Sequence, residues 1–161
     1  MYKTIVNLAY LYLITALPFL ELRASIPYGI LALQINWLLV FIICIISNIL
    51  ITPLIWFFVE HVMHFFLKIK WIETIYKKIV VRTQKRVHPY VEKYGTLGLA
   101  IFIGIPLPGS GVYSGCLGAY LLGYKFKDYL IASVLGVLIA GIIVTIVTLT
   151  GTELFSIFIK T

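Results

Sequence analysis

Hydrophobic positions fall along the chain in two unbroken runs, 37–59 and 129–150. Each is long enough for one bilayer crossing, which takes about 20 helical residues. The first contains Asn48, Thr52 and Pro53, which predicts one polar face and a kink. The second contains Gly136, Ala140 and Gly141, small residues that let another helix come close. An apolar segment interrupted in its middle precedes each run. Segment 2–35 is interrupted by Pro18, Glu21, Arg23 and Pro27, and segment 97–122 by the stretch IPLPGSG at 105–111. Proline lacks a backbone donor and turns the residue before it away from helix. Pro106 and Pro108, followed by Gly109, Ser110 and Gly111, therefore exclude a continuous helix there. The pieces flanking that break, about 12 and 16 Å long, fall short of a hydrocarbon core of about 30 Å. They are expected as half-helices that enter the bilayer and turn back.

Charge supports the same topology. Lys68, Lys70, Lys77, Lys78, Arg82, Lys85, Arg86 and Lys93 lie between the halves, and Lys125 and Lys127 follow the second broken segment. A re-entrant segment puts all ten on one side, which the positive-inside tendency makes the cytoplasm. Both termini then lie outside. Within 60–94 apolar residues such as Val62, Phe65, Phe66, Ile69, Ile72 and Tyr76 recur at helical spacing between the basic ones. This predicts an amphipathic helix on the cytoplasmic leaflet, its cations toward anionic headgroups. Pro89 suits the first turn of a short helix that Gly95 ends.

Composition agrees: 61% of the 161 residues are hydrophobic and 12% charged, against about half and about a quarter in soluble domains. Mean hydropathy is +1.05. The net charge of +7 is concentrated between apolar stretches, which argues for lipid headgroups and against nucleic acid. Cys44 and Cys116 lack any paired spacing and are expected to be reduced, structural thiols. The N-terminal apolar run looks like a signal peptide but is expected to stay on the chain.

The predicted fold is an all-α integral membrane protein built as an inverted repeat. Each half is a re-entrant helical hairpin plus one spanning helix, and an amphipathic basic surface helix joins them. The single membrane domain, 1–161, divides into a first repeat 1–59, a linker 60–94, a second repeat 95–150 and a tail 151–161. The equivalent breaks, Pro18 and Pro106, stand 88 positions apart, close to the offset of the spanning runs. Interruptions at matching positions of two halves point to a transporter's binding site.

Non-helical backbone at membrane depth is tolerated where protein buries it or where it lines a wet cavity, so the two breaks should share one. A helix N-terminus offers free N–H groups suited to phosphate or carboxylate, and Gly109, Ser110 and Gly111, with Ser114, can form an anion nest. Arg23 brings a planar fork of donors that matches a phosphate. Glu21 either pairs with Arg23 or carries a proton, and a bare ion pair tying the hairpin tips together is the bland alternative. Tyr113 and Asn48 are candidates for the cavity lining. Gly111, Gly115, Ala119 and Gly123, four residues apart, read as a helix-packing stripe before a substrate groove. Glu60, His61 and His64 mark the end of a spanning helix at the interface, and no metal or other cofactor is expected. No nucleophile–base pair or phosphate loop is present, so no enzyme is expected.

The stretches LPFLELRASIPYGI and IFIGIPLPGSGVYSGCLGAYLLG resemble the two signature stretches of the prokaryotic small multi-drug export protein family, a distant relative of the DedA-like, SNARE-associated Golgi membrane proteins. The matching residues are Glu21, Leu22, Arg23, Ile26 and Pro27, then Pro106 to Gly111. Val112 and Tyr113 stand where Ala-Trp is more usual. The resemblance implies a prokaryotic cell-membrane protein. The DedA-like relatives imply movement of a lipid-linked phosphate, such as a polyprenyl phosphate, with proton coupling. Gly109 and Gly111 stand in the second half where Glu21 and Arg23 stand in the first.

The leading expectation is therefore a transporter or flippase for an anionic amphiphile, with Glu21 as proton carrier or gate and Arg23 with 109–111 as the anion site. Efflux of lipophilic cations, with Glu21 as counter-ion, is the alternative within transport. A non-transporting scaffold acting through the basic linker is the alternative from another class, and a channel is compatible with the pattern. Membrane lipids are the expected partners, and a homodimer would thicken the thin wall around one copy's cavity.

Overall fold

The computed structural model describes residues 2–18, 20–66, 95–106 and 110–159. Their regular structure is helical: α1 (Tyr2–Thr15), α2 (Glu21–Pro27), a π-helical turn (Tyr28–Ala32), α3 (Trp37–Phe66), α4 (Gly95–Gly104), α5 (Val112–Leu122) and α6 (Phe126–Ile159). The linker residues 67–94, with the amphipathic helix and the Pro89 helix expected there, lie outside the described residues, as do Pro108 and Gly109.

Helices α3 and α6 form where the apolar runs are longest, and 26-residue stretches of each, Trp37–Val62 and Phe126–Gly151, are long and apolar enough to cross a membrane. Both extend past the expected limits. The first continues beyond Val59 to Phe66, and the second beyond Thr150 through most of the expected tail. Hydropathy marks where lipid should stop, while the backbone ladder continues through any residue that can stay helical. Asn36 starts α3 by accepting the Leu38 N–H on its side-chain oxygen at 2.9 Å. Pro53 sits inside the helix.

The two long helices run antiparallel. Near one end Gly141 lies so close to Ile45 that a Cβ would stand 2.6 Å from the Ile45 Cδ1. Toward the other, Trp56 stacks on Tyr129 with centroids 5.3 Å apart, and Phe57 meets Phe126 at 5.9 Å. Their outer faces are apolar, with Leu54 68% and Phe58 69% exposed, while Ser47, Asn48, Thr52 and Ser133 are buried. Such an oil-out pattern suits lipid, since water would leave those faces an aggregation hazard. Inside, the hydroxyls of Ser47, Thr52 and Thr148 donate to carbonyls one turn back, at 2.7, 2.8 and 2.7 Å.

Both interrupted segments fold into helical hairpins. In the first, Thr15 donates to Ser25 at 2.7 Å near the turn, and Tyr10 meets Tyr28 at 6.2 Å farther out. In the second, the Ser110 hydroxyl donates to the Ile105 carbonyl at 2.6 Å beside the break. Farther along, Ile103 packs on Gly115, and Tyr124 reaches the Gly95 carbonyl at 3.0 Å. The arms α1, α4 and α5 are about 21, 15 and 16 Å long. The α5–α6 turn and the start of α4 therefore gather at the end of the molecule where α3 carries Phe57.

Pro27 was expected to break the first hairpin and does not. It is the last residue of α2, and the chain continues as a π-helical turn in which the Leu33 N–H reaches the Tyr28 carbonyl at 3.1 Å. The wider turn absorbs the ladder bond that proline cannot make. Gly29 in that turn seats against Val40 and Leu11. The small residues of α6 serve close packing: Gly136 receives Ile103 of α4, and Gly141 receives α3. A Cβ at Gly136 would stand 2.7 Å from Ile103 and 2.8 Å from the Ala100 carbonyl oxygen. Gly136→Val is expected to cost about 1–3 kcal/mol through overpacking. Gly118→Ala, where a Cβ meets nothing within 4 Å, is expected to gain about 0.5–1 kcal/mol from helix propensity. Denaturant unfolding in detergent measures both, and equal effects would show that the close seat at Gly136 does not matter.

Candidate functional site

The turn at 16–20 is tight: the N–H groups of Leu20 and Glu21 both reach the Leu17 carbonyl, at 3.3 and 3.1 Å. It delivers Glu21 into α2 with φ +45°, in the left-handed region that a side chain with a Cβ adopts at a cost of about 1–2 kcal/mol. A strained backbone of this kind needs surroundings that hold it in place. Here the Ser25 hydroxyl donates to the Glu21 carbonyl at 2.8 Å, and the Glu21 carboxylate is gripped from the other half of the chain.

That grip is the N-terminus of α5. The backbone N–H groups of Val112 and Tyr113 donate to the Glu21 carboxylate. Gly111, the N-cap, has extended backbone and no side chain, and a Cβ there would fall on the carboxylate. An N-cap side chain would ordinarily supply the acceptor for these orphan donors. In this protein a residue 90 positions away supplies it. Ser114 completes the cap: its hydroxyl accepts the Gly111 N–H at 2.8 Å and donates to the Gly111 carbonyl at 3.2 Å.

Arg23 treats the opposite helix end in the same way. One guanidinium nitrogen donates to the carbonyls of Ile103 at 3.2 Å and Ile105 at 3.0 Å, and to the carbonyl and hydroxyl of Ser110. The first two lie at and just past the C-terminal end of α4, where the helix stops and its last carbonyls have no ladder donor. A cation at a helix C-terminus and a carboxylate at a helix N-terminus are each favoured by the helix dipole. Glu21 and Arg23 also attract each other directly. The charged pair of the first hairpin thus finishes both helix ends exposed by the break in the second. Tyr113 adds a return contact, its hydroxyl donating to the Ala16 carbonyl at 2.5 Å.

Around this junction lies a cavity of about 620 Å³, lined by Pro18, Glu21, Arg23, Pro106, Gly111, Tyr113 and Ser114. The two breaks therefore do meet at a shared cavity. Of the other residues singled out from sequence, Ser110 is held beside it by Arg23, while Pro27 and Asn48 are not among its lining residues. Pro108 and Gly109 lie outside the described residues. The hydroxyls of Ser110 and Ser114, expected to face an anion, are both engaged locally. Leu20, Ala24 and Leu117 also line the space and were not singled out. The signal for Leu117 was its helical spacing from Tyr113. The carbonyls of Ile103 and Ile105 could have been found by asking which acceptors the last turn of a helix leaves bare when the chain stops being helical at 105–111. Of the stripe 111–123, Gly115 seats Ile103, and Gly123 ends α5 at φ +79°, with the Tyr124 N–H returning to the Ala119 carbonyl at 2.9 Å. Cys44 and Cys116 are free and buried.

Neither the curated proteins nor the solved structures contain a match to this chain. A family model does match: the one described as "Putative small multi-drug export protein", over residues 21–143. The matched stretch begins at Glu21 and takes in Arg23, Gly111, both long apolar helices up to residue 143, and the linker between them. The chain belongs to the small multi-drug export protein family, a family of membrane export proteins.

Proposed function

We propose that this protein is a proton-coupled transporter of an anionic amphiphile, a lipid-linked phosphate of the polyprenyl kind. The observation that carries the reading is the seat of the Glu21 carboxylate. It occupies helix-end N–H groups of the sort that bind phosphate, at the wall of a cavity, with the Arg23 guanidinium beside it. A substrate phosphate and the Glu21 carboxylate would compete for those donors. Protonation of Glu21 would free them, and ionisation would reclaim them, so that each anion bound is matched by a proton taken up. The carboxylate is a stand-in that the substrate displaces. Arg23 and the 109–111 backbone then complete the anion site, and Ser110 and Ser114 shape it.

The topology proposed with it has both hairpins re-entering the bilayer from the side they left, as halves of an inverted repeat in a prokaryotic cell membrane. The antiparallel run of α3 and α6 supports inversion, and hairpin arms of about 15–21 Å support re-entry because they fall short of a core of about 30 Å. On this topology the basic linker faces the cytoplasm, its cations on anionic headgroups. No step calls for a cofactor or for enzymatic chemistry.

Glu21→Gln tests the mechanism. The amide oxygen can still accept from Val112 and Tyr113, so the variant should fold, yet it cannot exchange a proton. In proteoliposomes it is expected to lose proton-coupled lipid movement at least tenfold. Wild-type coupled transport by Glu21→Gln would rule the mechanism out. The family description favours a second reading, efflux of lipophilic cations with Glu21 as counter-ion. Competition separates them: a short-chain polyprenyl phosphate should inhibit the first activity, and a cationic dye the second.

A further inference from the structure

The cavity at the hairpin junction has two unlike sides. Its floor is polar and buried, where Glu21 and Gly111 meet beside the Arg23 guanidinium and the first N–H groups of α5. Its mouth is apolar. Pro18, Leu20, Pro106 and Leu117 line the same space and are all exposed, Leu20 by 39% and Leu117 by 44%. Leu17 and Ile105, next along the chain from the two prolines, are exposed as well.

Helical spacing builds the two walls. Leu20 and Ala24 stand one turn apart at the start of α2, and Tyr113 and Leu117 one turn apart on α5, so each pair presents a row to the cavity. The Tyr113 hydroxyl, donating to the Ala16 carbonyl, ties the α5 row to the turn of the first hairpin. Behind these rows the helices are closed. Leu22 and Ile26 of α2 and Val112 and Cys116 of α5 are buried in the core, and Ile103 fills the space at Gly115. Among the described residues the cavity therefore opens outward, past Leu20 and Leu117, and not into the helix bundle.

On the proposed topology that outward side is hydrocarbon. Water there would wet an apolar rim, whereas lipid chains cover it without cost. A volume of about 620 Å³ suits a drug-sized ligand and is more than a phosphate alone would fill. Charge at the floor and an apolar mouth together specify an occupant with an anionic head and a hydrocarbon chain.

We propose that the cavity is a lateral portal for a lipid tail. The phosphate head binds at Arg23 and the start of α5, and the first part of the chain lies over Leu20, Ala24 and Leu117 and leaves between them into the bilayer. The inference rests on the anionic-amphiphile reading of this site and adds the residues that hold the chain. Only the head then passes through protein, and the apolar chain stays out of water throughout.

The position of a photoreactive group tests it. Farnesyl phosphate carrying a diazirine within its chain is mixed with wild-type protein in nanodiscs of zwitterionic lipid and irradiated. Adducts are expected at Leu20, Ala24 and Leu117. Excess unlabelled farnesyl phosphate should reduce them about tenfold, and excess farnesol by less than about twofold. Leu117→Trp, which narrows the mouth, should weaken farnesyl phosphate binding about fivefold or more, while Leu54→Trp, exposed on α3 and away from the cavity, should not. Adducts confined to other residues, with farnesyl phosphate still outcompeting farnesol, would overturn the portal and leave the anion site standing. Unchanged binding by Leu117→Trp would overturn it in the same way. Farnesol competing as well as farnesyl phosphate would mean that the head is not recognised, and the anion reading would fall together with the portal built on it.

Discussion

Arg23→Ala is expected to lower stability by about 3 kcal/mol and to loosen the second hairpin at its break. The guanidinium donates to Ile103, Ile105 and Ser110, so one side chain holds the end of α4 to the approach of α5. Alanine would leave those carbonyls without their charged donor and the Glu21 carboxylate without its counter-charge. Arg23→Lys keeps the charge and should recover part of the loss, because the described acceptors all meet a single nitrogen of the guanidinium. Urea or guanidinium unfolding in detergent reads the stability, and limited proteolysis reads the opening at 105–111. An Arg23→Ala protein as stable as wild type would mean that these contacts carry nothing.

Gly111→Ala should be nearly as damaging, at about 2–3 kcal/mol, although it adds one methyl group to an N-cap with ordinary extended backbone. The cost comes from what the methyl meets, the Glu21 carboxylate. Either the carboxylate leaves the Val112 and Tyr113 N–H groups or the hairpins move apart. A double-mutant cycle isolates this cause. In a Glu21→Ala background the methyl finds space, so Gly111→Ala should then cost about 1 kcal/mol or less, a coupling of about 1–2 kcal/mol. Strict additivity of the two substitutions would show that the close approach of Gly111 and Glu21 is absent in the bilayer.

These two effects also show how far the sequence could be read. The spanning helices were legible because lipid demands a long apolar run, and both breaks were legible because proline cannot join a helical ladder. Glu21 and Arg23 stood out for the cost of a charge in an apolar segment, and their meeting with 110–114 followed from the need to bury irregular backbone. What each charge does was not legible. Nothing near Glu21 in sequence says that its carboxylate caps a helix 90 positions later, since capping patterns are normally local. Pro27 misled for a related reason: a π-helical turn can absorb a missing donor, and periodicity does not announce one. The ends of α3 and α6 were missed because hydropathy reports the solvent around a helix while hydrogen bonds decide where it stops.

The topology underlies the transport reading, and sidedness of labelling tests it most directly. Single cysteines at Glu60, Lys125 and Gln34, all exposed positions, can be probed with a membrane-impermeant thiol reagent, with the buried Cys44 and Cys116 as a low background. Glu60→Cys and Lys125→Cys are expected to react from one face of the membrane and Gln34→Cys from the other. Labelling of positions 60 and 125 from opposite faces would mean that the second hairpin crosses the bilayer, and it would contradict the account.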